Sequence, residues 1–160
     1  MIDKERTCCF TGHRKIAEIN MFIKSRLKKE IEKLIEKGVI FYGAGGALGF
    51  DTLAALTVLE LKKKHPHIKL IMVLPCWEQD KSWSDADKKI YADILDKADK
   101  TVYTSERYHR GCMHVRNKRL VDYSSYCIAY LKESTGGTAF TVNYALEKGL
   151  AVINIAERGA

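Results

Sequence analysis

No apolar run in the chain approaches the roughly 20 residues that a bilayer-spanning helix needs, which excludes a helical membrane protein. The opening Met1-Ile2-Asp3-Lys4-Glu5-Arg6 carries charge of both signs and lacks the apolar stretch of a signal peptide, so a cytoplasmic location is expected. Cysteine is present five times, an odd number, and nowhere as C-x-x-C. Cys8 and Cys9 are adjacent on an expected strand, so they point to opposite faces and cannot readily pair; Cys127 also falls in a strand. All are expected to be reduced, buried and apolar in behaviour. There is no repeat, low-complexity segment or linker. The net charge of +7 is spread over both halves rather than gathered in a basic tail.

What remains is a pattern of alternating strands and helices over 160 residues, 46% of them hydrophobic and 29% charged. One domain (1–160) of that length buries about two-thirds of the surface its unfolded chain exposes. Segments 6–11, 39–42, 68–74, 100–104, 126–131 and 151–155 read as strands. Among them 68–74 is apolar almost throughout, as in a parallel sheet covered on both faces. Segments 18–37, 51–64, 85–97, 113–123 and 138–148 read as helices. In the first, Ile19, Phe22, Ile23, Leu27, Ile31, Leu34 and Ile35 form one stripe, and Gly38 ends it as a left-handed cap. The alternation gives an α/β fold: a doubly wound, Rossmann-like, mostly parallel sheet with helices on both faces, whose ligands bind beyond the carboxyl ends of the strands.

Three glycine-containing turns fall at those strand ends. Tyr42-Gly43-Ala44-Gly45-Gly46-Ala47-Leu48-Gly49-Phe50-Asp51 and Ser134-Thr135-Gly136-Gly137-Thr138-Ala139 each join a strand to a helix. The shorter Thr11-Gly12-His13-Arg14 adds a cation. Free backbone N–H groups and the positive end of a helix dipole favour an anion such as phosphate at such places. The first turn is not a dinucleotide fingerprint, because Leu48 stands where G-x-G-x-x-G needs its last glycine, and it lacks the Lys-Ser/Thr of a P-loop. Gly43, Gly45, Gly46 and Gly49 therefore either approach a phosphate or simply permit a tight turn. Asp51 either caps its helix or accepts from a ribose hydroxyl.

Between Arg107 and Arg119 the chain is basic and holds no acid. There Arg116 and Asn117 have the geometry to fork onto a phosphate or a base edge, or form a solvated helix face. Tyr108 or Trp77 is placed to cover a base or ribose, although Trp77 and Trp83 equally suit pinning their loop. His109, Cys112 and His114 have a spacing compatible with zinc, with Cys76 as a further ligand, but no paired motif supports a metal and none is expected.

Taken in order, Met113-His114-x-Arg116-Asn117, a strand, and Gly136-Gly137-Thr138 resemble the SLOG superfamily, which joins DprA/Smf and LOG-type proteins. The resemblance is closest to its single-domain YpsA-like branch. It extends to Cys9-Phe10-Thr11-Gly12-His13-Arg14, Gly45-Gly46-Ala47-Leu48-Gly49-Phe50-Asp51 and Leu74-Pro75-Cys76-Trp77-Glu78-Gln79, and so covers nearly the whole chain. It implies a Rossmann-like fold and a pocket that binds or senses a phosphorylated nucleotide derivative of the NAD, ADP-ribose or nucleotide type, with no cofactor required.

Two other functions come with the resemblance. In LOG-type enzymes the arginine of M-H-x-R and a glutamate closing the glycine motif act in cleaving ribose 5-phosphate from a base. Arg116 matches that arginine, but no acid follows Thr138 until Glu147. A nucleotide N-glycosidase (phosphoribohydrolase) here needs another carboxylate beside the cationic sugar, and Asp51 and Glu78 are the candidates. A DprA-like protein binds single-stranded nucleic acid, which calls for a broad basic, aromatic-lined groove. LOG-type relatives form dimers, which implies a homodimer by analogy. The expected ligand-binding set is Gly12, His13, Arg14, Gly43, Gly45, Gly46, Gly49, Asp51, Tyr108, Met113, Arg116, Asn117, Gly136, Gly137 and Thr138.

Overall fold

A computed structural model of the protein describes residues 3–16 and 21–156. After a 3-10 turn at Lys4–Arg6 the strands are β1 (Thr7–Gly12), β2 (Phe41–Ala44), β3 (Lys69–Leu74), β4 (Lys100–Tyr103), β5 (Tyr126–Tyr130) and β6 (Ala151–Asn154). They alternate with helices α1 (Met21–Glu36), α2 (Phe50–Lys62), α3 (Asp85–Lys97), α4 (Cys112–Asp122) and α5 (Gly137–Glu147). Every strand pair is parallel, and the order across the sheet is β4-β3-β2-β1-β5-β6. The chain thus walks outward from β1 to β4, then returns to the other side of β1 for β5 and β6. Right-handed crossovers place α1, α2 and α3 on one face and α4 and α5 on the other.

The period-2 alternation of β1 divides the core accordingly. Cys8 and Phe10 pack among Leu27, Ile31, Phe50, Val58 and Ile94, whereas Cys9 packs with Leu120, Val121, Val142 and Ala145. Each fully buried aliphatic side chain of this kind stabilises the fold by about 1.5–3 kcal/mol. All five cysteines are buried and free, and burial pushes the Cys8 thiol well above its ordinary range. Three helices on one face against two on the other leave Phe41, Ile71, Val73 and Val102, beside Leu120, lining an apolar groove of about 200 Å³.

The sequence-based boundaries differ from these by a few residues. Within the long first helix, Ile23, Leu27, Ile31, Leu34 and Ile35 are buried as expected, and Gly38 follows with φ +93°. Phe22 is 57% exposed instead: it lies about 100° round the helix from Ile23, on the flank shared with Arg26. Ile19 and the start of the segment read as helix (18–20) lie outside the described residues. Asp51 is not the N-cap of α2; Gly49 is, and Asp51 stands in the first turn.

Candidate functional site

The reversal of strand order occurs at β1, between β2 and β5, and there the strand-to-helix loops splay apart. A cleft of about 270 Å³ opens at that point. Its lining comes from the tips of β1 (Thr11, Gly12, His13, Arg14) and β5 (Glu133, Thr135, Gly136, Gly137, Thr138), from Ala47 and Asp51 at the start of α2, and from Met113, Arg116 and Asn117 on α4.

The β1 loop is fastened on both sides. The Phe50 amide donates to the His13 carbonyl (3.1 Å), and the Lys132 amide donates to His13 Nε2 (2.9 Å). Gly12 is pressed so closely on Phe50 that a β-carbon there would lie 2.4 Å from the ring. Beyond β5, Asn154 holds the backbone of Leu131, accepting from its amide and donating to its carbonyl (3.0 Å each). The segment carrying Glu133 therefore leaves the sheet from a fixed point.

Arg116 forms the floor. It is 3% exposed, donates through Nη1 to the Gly45 carbonyl and through Nε to Asn117 Oδ1 (2.7 Å), and sets Nη2 3.6 Å from Met113 Sδ. Gln79 Nε2 donates to the same Gly45 carbonyl (3.3 Å). Asp51, 7% exposed, accepts from the Ala47 amide (3.2 Å). Burial pushes its carboxyl above the ordinary range, opposed by the charge of Arg116, the Ala47 bond and the charge of Arg14. For Arg116 burial works the other way, weakening its hold on the proton, and Asp51 opposes that effect.

The lip is different in character. Gly136 caps α5 with φ +101°, no side chain caps the helix, and no acid stands in its first turn. The Phe140 amide donates to the Gly136 carbonyl (3.0 Å). The amides of Gly137, Thr138 and Ala139 precede that bond and lie at the positive end of the dipole. A β-carbon added at Gly136 or Gly137 would meet nothing within 4 Å, so the space in front of them is open.

The remaining expected residues lie elsewhere. Gly43 is within β2, where an added β-carbon would lie 3.0 Å from Leu120 Cδ2, and lines the apolar groove. Gly45, Gly46 and Gly49 face protein: Arg116, Leu74 and the Arg14 carbonyl would lie 2.6, 2.7 and 2.2 Å from added β-carbons. Their absent side chains make room for neighbours. Tyr108 is 72% exposed and off the cleft. Glu78 is also off its lining; the adjoining Trp77 is 56% exposed, while Trp83 packs edge-on against Tyr91 (5.1 Å) and pins the loop. His109 bonds Ser105 and the Arg110 carbonyl, whereas His114 packs on Phe140. Glu133, Thr135 and Gln79 were missed from sequence; the nearest signal for Glu133 was its place just ahead of the second glycine turn.

Two solved structures share this architecture. DNA processing protein A (DprA) from Helicobacter pylori, described for its single-stranded DNA binding mode, superposes with a TM-score of 0.67 at 19% identity over 94% of this chain. DprA from Streptococcus pneumoniae superposes with a TM-score of 0.66, also at 19% identity, over 92% of this chain. The chain spans 65% and 49% of their respective lengths. In sequence it is 37% identical over 136 residues to the SPbeta prophage-derived protein YoqJ of Bacillus subtilis, covering 77% of this chain and 80% of YoqJ. It is 33% identical over 130 residues to a UPF0398 protein of Halalkalibacterium halodurans, covering 79% of this chain and 69% of that protein. The model of the YpsA family, described as a SLOG family, matches residues 8–151, and the chain belongs to that family.

Proposed function

We propose that the cleft binds a phosphorylated, nucleotide-derived small molecule of the ADP-ribose, NAD or nucleotide type. The observation that carries this reading is the uncapped start of α5, whose open glycine pair shares the cleft with Arg14. Amides at a helix N-terminus with a cation opposite are a favourable seat for a phosphate group. Thr138 and the Asn117 amide add donors. The cleft volume is near the low end of small-molecule sites, about 300–1,000 Å³. In this reading the phosphate rests at Gly136–Thr138 rather than on the Gly45–Gly49 turn, whose glycines are taken up by packing, and Arg116 positions the floor.

The test is a calorimetric and thermal-shift panel of AMP, ADP-ribose, NAD and cyclic nucleotides on the intact chain. Ligand that binds the folded form raises its melting temperature in proportion to the logarithm of its concentration over Kd. At least one compound should do so, and Arg14→Ala should abolish the shift. No shift with any phosphorylated compound ends the reading.

A second reading, single-stranded nucleic-acid binding, is supported by the fold shared with two DprA proteins. A surface beside the cleft also favours it: Phe140 and Tyr144 lie parallel, with Lys118 over both rings and Lys148 over Tyr144. Retention of a labelled oligonucleotide that weakens steeply with salt is its signature; absent or salt-insensitive retention removes it.

A further inference from the structure

Two opposite charges share the cleft without meeting. Arg14 and Glu133 both line it and both are exposed. Neither forms an ion pair with a described residue. Glu133 also has no hydrogen-bond partner among the described residues, although it leaves the sheet from the fixed point set by Asn154 and His13. A cleft made only to hold anions gains nothing from a carboxylate on its lip. One that must recognise both an anion and a set of hydroxyl donors needs both groups.

Position favours the second description. Glu133 is four residues ahead of Gly137, so even a fully extended chain places its backbone within about 14 Å of the first α5 amide, a span that its side chain and one nucleotide cover together. Ionised, it has two oxygens and accepts only, which matches two neighbouring hydroxyls donating together. The same charge repels a second phosphate group passing along the lip, as a continuous strand would require.

We infer that Glu133 selects the sugar, so that the cleft takes a single phosphate group esterified to a sugar with a free vicinal diol, as in a ribonucleoside monophosphate. The inference rests on the small-molecule reading above and narrows it. It runs against the nucleic-acid reading, because deoxyribose in a strand offers no diol and brings successive phosphates to Glu133.

Calorimetry on the intact chain at fixed ionic strength tests it with AMP, 2′-deoxy-AMP, 3′-deoxy-AMP and inorganic phosphate. AMP is expected to bind at least about tenfold more tightly than either deoxy compound, a difference of about 1.4 kcal/mol. In Glu133→Ala the ratio should fall to about one while inorganic phosphate binds at least as well as before. Glu133→Gln, which keeps an acceptor oxygen, should retain part of the preference. A residue that merely shapes the loop would move all four affinities together. Equal binding of AMP and its deoxy forms by the unaltered chain, or a preference that survives Glu133→Ala, overturns the role of Glu133 and leaves the phosphate seat standing. Failure of every phosphorylated probe to bind overturns both.

Discussion

The Arg116 guanidinium donates to the carbonyl of Gly45, 71 positions earlier in the chain, and no β-carbon fits between them. One added at Gly45 would lie 2.6 Å from Nη1. A flexible side chain on the surface would step aside. Arg116 is buried and also bound to Asn117, so stepping aside breaks bonds that nothing replaces. Gly45→Ala is therefore expected to cost about 1–3 kcal/mol, as overpacking does elsewhere. Arg116→Ala should cost at least about 2 kcal/mol, since it leaves the Gly45 carbonyl with Gln79 alone and Asp51 without its principal countercharge. Urea denaturation measures both; an unaltered midpoint for Gly45→Ala means the guanidinium is not fixed.

Tighter still is Gly12, where an added β-carbon would lie 2.4–2.5 Å from three atoms of Phe50. Phe50 has nowhere to go: it is fully buried and stacked on Tyr130 at 6.0 Å. Gly12→Ala is expected at or beyond the upper end of the same 1–3 kcal/mol range. In a Phe50→Ala background, which removes Cγ and Cδ2 and leaves only Cβ at 2.5 Å, Gly12→Ala should cost less than in the unaltered protein. Additive losses in the double variant would place the strain in the backbone instead.

Two buried or half-buried carboxyls give opposite pH signatures. Asp51 has its carboxyl raised above 3.8 by burial. Above that pH the native chain holds this proton longer than the unfolded chain does, so the contribution of Asp51 to stability falls as pH rises through the window. The melting temperature of Asp51→Asn relative to the unaltered protein should thus rise as pH goes from 3.8 to neutral, on top of a pH-independent loss from leaving buried Arg116 without its countercharge. Asp99 is the reverse case. Burial pushes its carboxyl up, but the Lys62 hydrogen bond, the Leu70 amide and the charges of Lys62 and Lys69 together bring it below 3.8. Its contribution is present above that value and lost as pH falls through the folded one, so Asp99→Asn should melt lower at neutral pH. Melting curves from about pH 3 to 8 separate the two signs.

Strands, helices and their alternation were legible because each carries a local signal: the stripe from Ile23 to Ile35, the apolar run at 68–74, the glycines after the first and last helices. The convergence of His13, Arg14 and Gly136–Thr138 followed from their shared place beyond strand ends, whereas Asn117, in the middle of α4, was reached through the Met113-His114-x-Arg116-Asn117 pattern. What a sequence does not carry is which neighbour a glycine makes room for. Gly45 admits a guanidinium and Gly49 a carbonyl, while Gly137 faces open space, and all three look alike in the chain. Glu133 was legible only as a neighbour of the second glycine turn. Its access to the cleft depends on β5 lying beside β1, which strand order decides and local pattern does not.

That difference among glycines separates packing from binding by experiment. At Gly137 the backbone is helical and the space before it empty, so Gly137→Ala should leave stability unchanged or raise it slightly, by about 0.5–1 kcal/mol, because alanine is the better helix former. The added methyl group nevertheless occupies the approach to the free amides of α5, where a phosphate oxygen needs to come within about 3 Å. Phosphate-bearing ligands should bind at least about tenfold more weakly to Gly137→Ala, with a melting temperature, measured without ligand, no lower than that of the unaltered protein. Gly45→Ala and Gly12→Ala should show the opposite pattern, losing stability first. If Gly137→Ala keeps full affinity for AMP while Arg14→Ala loses it, the phosphate lies against the β1 loop and not on α5.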